Sequence, residues 1–502
     1  MTTAPNAASP TLDGLFQRVL VRQPEALALI DPADKLRVTA TAPKRLSFAQ
    51  ADRAIAALTA HFIAYGLPAN SVIAVQMPNT VEFVLTLLAA HRAGLIVALL
   101  PQLWRQADLT IALNRAGARA IVTSSKIDGV SHADLAMNAA AEAFSIRYVG
   151  GFGNDLPEGM VSLDEVMASD FTQPVIVPPD ARRAAIVTFD VTADGFRAVP
   201  RSHLHLISGG LSVFLESGLP QSATLLSATL PSSFASLASS LVPWLLSGGV
   251  LALHHPFDAD ALEREINAAA CDVLVAPAPL AQKLAEAGLL DRTPTLRHVL
   301  GLWRAPEQVA SSPAWTHPQA DFTDIYLFGE AGLFGAHRAA DGLPAIIMPG
   351  AHGAPRALAS SSIAGEILIT PKGTLGLRGP MVPAVAYAST SESGNSLLSG
   401  KAVDYVDTGF AARLDRSSGA LCITAPPTGI MAVGGYRFLS QDLSEWAKRL
   451  GPHAMLTALP DRLSGYRLAG RASDNSRARD AFTELGLNPL MVEAFRDRAA
   501  AD

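Results

Sequence analysis

A chain of 502 residues is about three times the usual domain length of roughly 150, so it folds as one large α/β body or as several domains. With 49% apolar and 17% charged residues it can bury an ample core, which excludes global disorder. Its 39 Lys and Arg against 45 Asp and Glu leave a formal charge of −6, with no basic footprint for nucleic acid and no polybasic membrane address.

The opening residues, MTTAPNAASP, carry neither the cationic nor the apolar part of a signal peptide. Cys271 and Cys422 make no disulfide framework and no zinc spacing, which fits a reducing, cytoplasmic setting with both thiols as buried apolar fillers. From Leu46 onward the chain alternates helix-like and strand-like segments. Ser47 caps a helix with Phe48, Ile55, Leu58 and Phe62 on its apolar face, ending at Gly66, and Val72 to Met77 follows as a strand. Thr80 to Arg92 reads as a second helix, with Glu82 in its first turn and Gly94 beyond its end, followed by a strand from Leu95 to Leu100. Gln106 to Ala116 and Arg119 to Thr123 repeat the pattern, and three such units predict a parallel sheet covered by helices.

Residues 184–188 and 271–276 are further apolar strands, the second preceded by a helical pattern over 258–268. Residues 217–257 contain no Asp, Glu, Lys or Arg, but Pro220, Pro231 and Pro243 cut them into pieces shorter than the ~20 apolar residues of a membrane span, so a buried core is expected. From Gly365 the texture turns to short strands broken by Gly and Pro, as in a small β-rich subdomain. APPTG at 425–429 reads as the linker, giving a large N-terminal body over 1–429 and a small C-terminal module over 430–502 with a helix near Gln441 to Leu450.

Five stretches carry a resemblance: LSFAQADRAIAALTAHFIAYGLPANSVIAVQMPNTVEFVLTLLAAHRAG (46–94), AVPRSH (198–203), YLFGEAGL (326–333), GEILI with LRGPMV (365–369 and 377–382) and MAVGGYRF (431–438). In this order and spacing the chain resembles the adenylate-forming, AMP-binding superfamily of acyl- and aryl-CoA synthetases, peptide-synthetase adenylation domains and luciferases. The resemblance spans roughly Leu46 to Leu443. It implies an enzyme that activates a carboxylic acid on the α-phosphate of ATP and passes the acyl group to a thiol, with magnesium as cofactor and CoA or an acyl carrier protein as acceptor. That chemistry needs a phosphate cradle, a carboxylate for the metal, a ribose clamp and a cation over the developing charge.

Each part can be sought on this chain. In FDVTADGFRAVPRSH (189–203) the slot of the cradle's Lys holds Arg197 and that of its Pro holds Phe196, leaving Thr192 and Gly195 of the small polar set, with Asp190 and Asp194 placed where phosphate would sit. In YLFGEAGL the resemblance puts Tyr326 on adenine and Glu330 on magnesium, with Gly329 replacing a phosphate-binding Thr and Phe328 beside the acyl pocket. Phe234 and Gly301 fall on that pocket's wall, and Arg304 nearby could pair with an acid, though an exposed arginine is expected. The ribose clamp reads Asp407-Thr408-Gly409-Phe410, so Phe410 stands in the acid's place, and Asp407 would point the other way. At the hinge Pro426 takes an Arg slot. The C-terminal Lys of the family has no counterpart, because no lysine follows Lys448.

If each loss removes about 2–4 kcal/mol of transition-state stabilisation, two or three erase roughly 10⁵-fold of the rate. The expected function is therefore an acyl- or aryl-CoA synthetase-like pseudoenzyme that binds a small carboxylic acid or acyl thioester. Against ATP and magnesium stand the altered motifs, while CoA and a carrier protein stay open. The alternatives are a functional ATP-dependent, AMP-forming acid–thiol ligase carried by Arg197 and Glu330, and a different acyl-transfer reaction in the same pocket.

Overall fold

Ser47 begins the repeated helix–strand units with a reciprocal cap: its hydroxyl accepts the Gln50 amide, and the Gln50 side chain accepts the Ser47 amide. The computed structural model describes residues 10–169, 180–352, 365–383 and 404–496, so the first nine residues and the end of the C-terminal module lie outside it. The Phe48–Ala64 helix packs Phe48, Ile55, Leu58 and Phe62 inward, and the strand Val72–Gln76 follows. The next two units appear as Val81–Arg92 with Ile96–Leu99, and Gln106–Ala116 with Ala118–Ser124.

These strands build a seven-stranded sheet in the order Gly195–Ser202, Ala184–Thr192, Ile96–Leu99, Val72–Gln76, Ala118–Ser124, Tyr148–Phe152, Val161–Ser162. All its pairings are parallel except that between the first two strands. An eight-stranded sheet runs Leu333–His337, Asp321–Leu327, His298–Trp303, Val273–Pro277, Thr224–Ser227, Val250–Leu253, Leu27–Ile30, Arg45–Ser47, parallel but for its two edge pairings. The expected β-rich subdomain is a five-stranded antiparallel sheet from Gly350–His352 to Leu421–Ala425.

The charge-free stretch 217–257 is core, as its composition suggested. It forms Thr224–Ser227, the continuous helical segment from Phe234 to Ser247, and Val250–Leu253. Within it Trp244 is fully buried, stacks on Phe48 at 6.0 Å and donates its indole N–H to the Gly249 carbonyl at 2.9 Å. Burying such a ring contributes roughly 2–3 kcal/mol. No helix among the described residues is long and apolar enough to cross a membrane. Cys271 is buried as expected, but Cys422 is only half-buried, because its strand lies at the edge of the five-stranded sheet.

Beyond Gly429 the hairpin Ile430–Val433/Tyr436–Leu439, the helix Ser440–Arg449, the hairpin Met455–Asp461/Gly465–Arg471 and the helix Asn475–Glu484 close over a separate apolar cluster that includes Leu443, Leu468, Phe482 and Phe495. The helix was read within one residue of its place.

A pair of imidazoles ties the body's helices together. His91 and His203 meet edge to face at 4.7 Å, both buried. His91 Nε2 donates to the Ala185 carbonyl at 3.0 Å and its Nδ1 has no partner, so burial favours the neutral ring and lowers its pKa to about 4. A histidine depressed in the folded state contributes stability that is complete above its unfolded value of about 6.5 and is lost as pH falls towards the folded value. His91→Gln keeps an N–H donor for Ala185 and removes the titration. Thermal melts at pH 7 and pH 4.5 are expected to show the wild-type advantage over this variant shrinking at the lower pH, by up to about 3 kcal/mol.

Candidate functional site

The strands Ala184–Thr192 and Gly195–Ser202 contain the segment read as a phosphate cradle. They pair without interruption from Ile186↔Arg201 to Thr192↔Gly195, leaving only Ala193 and Asp194 in the turn. The cause is local. Phe189 and Phe196 stack at 5.4 Å on one face of the ladder and Trp104 covers both, at 5.4 and 5.7 Å. Gly195 supplies the positive φ of +100° at the turn, and the Thr192 hydroxyl donates to the Gly195 carbonyl at 3.3 Å. Amides that a cradle would converge on an anion are thus drawn into a sheet ladder. Arg197 is exposed on this hairpin, and Asp194 is exposed at its tip.

Asp190, directly across the ladder from Arg197, turns to other partners. It is 8% exposed. One carboxylate oxygen accepts the Glu330 amide at 2.8 Å, and Arg437, on the hairpin beyond Gly429, reaches the two oxygens at 3.1 and 3.3 Å. Gly329 lies between them at φ +57°, and a Cβ there would collide with both Arg437 and Asp190. The position of the expected threonine side chain is therefore filled by an ion pair joining the body to residue 437.

Glu330 is engaged on its other side. Arg201, fully buried, donates to the Glu330 carboxylate at 3.3 Å and also to the Glu330 carbonyl, while the Phe234 amide donates to the same carboxylate at 3.1 Å. The guanidinium lies 4.1 Å above the Phe234 ring. Burial raises the Glu330 pKa, the positive charge of Arg201 lowers it and the negative charge of Asp190 raises it. A divalent cation on this carboxylate would face the Arg201 guanidinium, and among the described residues no group of three His, Cys, Asp or Glu is placed to hold a metal ion. The residues present do not fit magnesium.

A cavity of about 300 Å³ opens at the junction of the body with the residues beyond Gly429. Its apolar wall includes Trp104, Phe189 and Phe196 on one side and Trp446, Leu487 and Met491 on the other. Its polar wall comprises Asp190, Glu330, Arg437, Arg304 and Tyr436, with Asp108 and Asp442 on the two flanking helices. Of the residues singled out in the sequence, Asp190, Phe196, Arg304, Gly329 and Glu330 line it. The others are placed elsewhere. Tyr326 is core, stacked on Phe334 at 4.5 Å, and Phe328 packs between Phe334 and Phe410. Gly301 allows Phe322 and Ala278 to approach the strand, and Phe234 lies beneath Arg201. Phe410 is buried, whereas Asp407 is exposed and accepts the Gly409 amide at 2.9 Å.

Arg304 corrects an expectation. It is half-buried and lines the cavity, its guanidinium against Gly435, where a Cβ would come within 3.2 Å of it. The chain reverses there on Gly434 and Gly435, and the second glycine is what lets the guanidinium pack on the backbone. Sequence reasoning passed over Arg201, Arg437 and the aromatic pair Trp104 and Trp446. Arg201 did carry a signal, as a charge inside the family-like run AVPRSH.

The model of the AMP-binding enzyme family matches residues 16–345. Among curated proteins, long-chain fatty acid transport protein 1 of Rattus norvegicus is 33% identical over 115 residues, 23% of this chain and 17% of that protein, so the matched part spans well under a fifth of the relative. Among solved structures, o-succinylbenzoate CoA synthetase (MenE) from Bacillus subtilis, bound to a product analogue, superposes with a TM-score of 0.69 at 15% identity, covering 95% of this chain and 92% of that one. The adenylation–PCP fusion NpsA-ThdA from Klebsiella oxytoca gives 0.68 at 13% identity, covering 97% and 93%. The structural likeness carries the fold, the family model covers well over half of the sequence, and the chain belongs to the AMP-binding enzyme family.

Proposed function

We propose that this member of the family binds a carboxylic acid or acyl thioester and does not adenylate it. The observation that carries the reading is the 184–202 hairpin, whose ladder runs through the segment where a phosphate cradle would keep its amides free. Three further features support it. The Asp190–Arg437 pair occupies the space above Gly329, Arg201 neutralises Glu330, and Phe410 is core where a ribose-binding acid would stand. Arg462, Arg467 and Arg471, the cations that could replace the missing C-terminal lysine, lie in or beside the 455–471 hairpin and do not line the cavity.

In this reading residues 1–429 are the ligase-like body and residues from 430 onward a C-terminal domain, consistent with the separate apolar cluster beyond Gly429. CoA or a carrier protein would be met as the thiol part of a bound thioester rather than as the acceptor of an adenylate.

Calorimetry with Mg-ATP is expected to give a dissociation constant weaker than about 1 mM, about −4 kcal/mol. A micromolar value overturns the reading. Pyrophosphate release is expected to stay at background across a panel of aryl and fatty acids with CoA present, while some of these acids or their CoA esters raise the melting temperature by mass action. Robust release that disappears in Arg197→Ala or Glu330→Ala would instead establish a working ligase.

A further inference from the structure

Three guanidinium groups and two carboxylates meet at the inner end of the junction cavity. Arg201 is paired with Glu330 and Arg437 with Asp190, at 3.3 and 3.1 Å. Arg304 is left over. Among the described residues it makes no hydrogen bond and no ion pair; the charge of Glu330 and the Tyr436 ring are near it, and its guanidinium packs against the Gly435 backbone. Burial lowers its pKa. A half-buried cation that lines a cavity and has no paired carboxylate is open to a ligand that supplies the negative charge.

The remainder of the cavity says what accompanies that charge. Trp104, Phe189 and Phe196 face Trp446, Leu487 and Met491, which suits a hydrocarbon or aryl body. The volume of about 300 Å³ is at the small end for ligand cavities, which suits a compact acid. The Tyr436 hydroxyl accepts the Leu103 amide at 2.9 Å, which fixes its position and leaves its O–H as a donor. Asp108 and Asp442 also line the cavity, and burial raises both pKa values, that of Asp108 to about 6, so these acids are the more readily discharged part of the wall.

We propose that Arg304 anchors the carboxylate of a small amphipathic monocarboxylic acid whose apolar body lies between the two aromatic walls, so that the free acid bridges the body and the module beyond Gly429. This rests on the acid-binding reading above and narrows it from acid or thioester to free acid, at a named cation. No bond is made or broken. The site differs from the wall expected from Phe234 and Gly301, neither of which lines the cavity.

The test is a titration of intrinsic tryptophan fluorescence, since Trp104 and Trp446 line the cavity, with sodium octanoate, the neutral octanamide and octanoyl-CoA as probes. The wild type is expected to bind octanoate saturably and at least about tenfold more tightly than octanamide. Arg304→Gln is expected to weaken octanoate by about tenfold to a hundredfold, the loss of one charged hydrogen-bonding partner, and to leave octanamide unchanged. Arg304→Lys, which keeps the charge without the planar fork, is expected to fall between them. The octanoate-to-octanamide ratio of the wild type tests the proposal even if a variant fails to fold. Equal octanoate affinity in wild type and Arg304→Gln, or binding of octanoyl-CoA without octanoate, overturns this site and leaves the acid-or-thioester reading standing. Binding of none of the three probes overturns both.

Discussion

Asp190 is the constraint on which the junction depends. Its carboxylate is nearly inaccessible to water, and a buried charge is tolerable only when paired and hydrogen-bonded. Both conditions are met, by Arg437 on one side and by the Glu330 and Val191 amides on the other. Through that one group the aromatic hairpin, the 326–333 segment and the strand Tyr436–Leu439 are held in register. The second ion pair, Arg201 with Glu330, sits directly behind the first and shares residue 330 with it. Neutralising either acid would leave a guanidinium buried without its partner.

Much of the architecture could be read in advance because it is written in local patterns. The helices from Phe48 to Ala116 and the strands between them follow apolar spacing, caps and terminal glycines, which do not depend on distant parts of the chain. The eight-stranded sheet was less legible at its edge. Leu27–Ile30 is four residues long and Arg45–Ser47 three, and each owes its place to pairing with partners that no local signal specifies. The π-helical turn at Leu237–Leu241, inside a charge-free and buried helix, left no periodic trace either.

The candidate site was legible in outline and not in its contacts. Glu330 and Gly329 were recognisable from a motif, whereas the partners that define their surroundings come from 129 positions away in Arg201 and from 140 in Asp190. Residue type alone also misjudged Arg304, since an arginine between Trp303 and Ala305 reads as surface until the hairpin beyond Gly429 is laid over it. The buried Tyr436 and the Leu103 amide make the same point: a contact spanning 333 residues ties that hairpin to the body.

The absent side chain at Gly329 bears on how such a molecule could have arisen. A threonine at 329 and an arginine at 437 paired with Asp190 cannot share the space, so the three positions are not free to vary one at a time. While the Asp190–Arg437 pair stands, a side chain added at 329 meets a steric barrier, and the backbone at φ +57° disfavours any residue with a Cβ. Change at this junction therefore has an order: the space above residue 329 opens by removal of the Arg437 side chain, and only then can residue 329 carry one of its own.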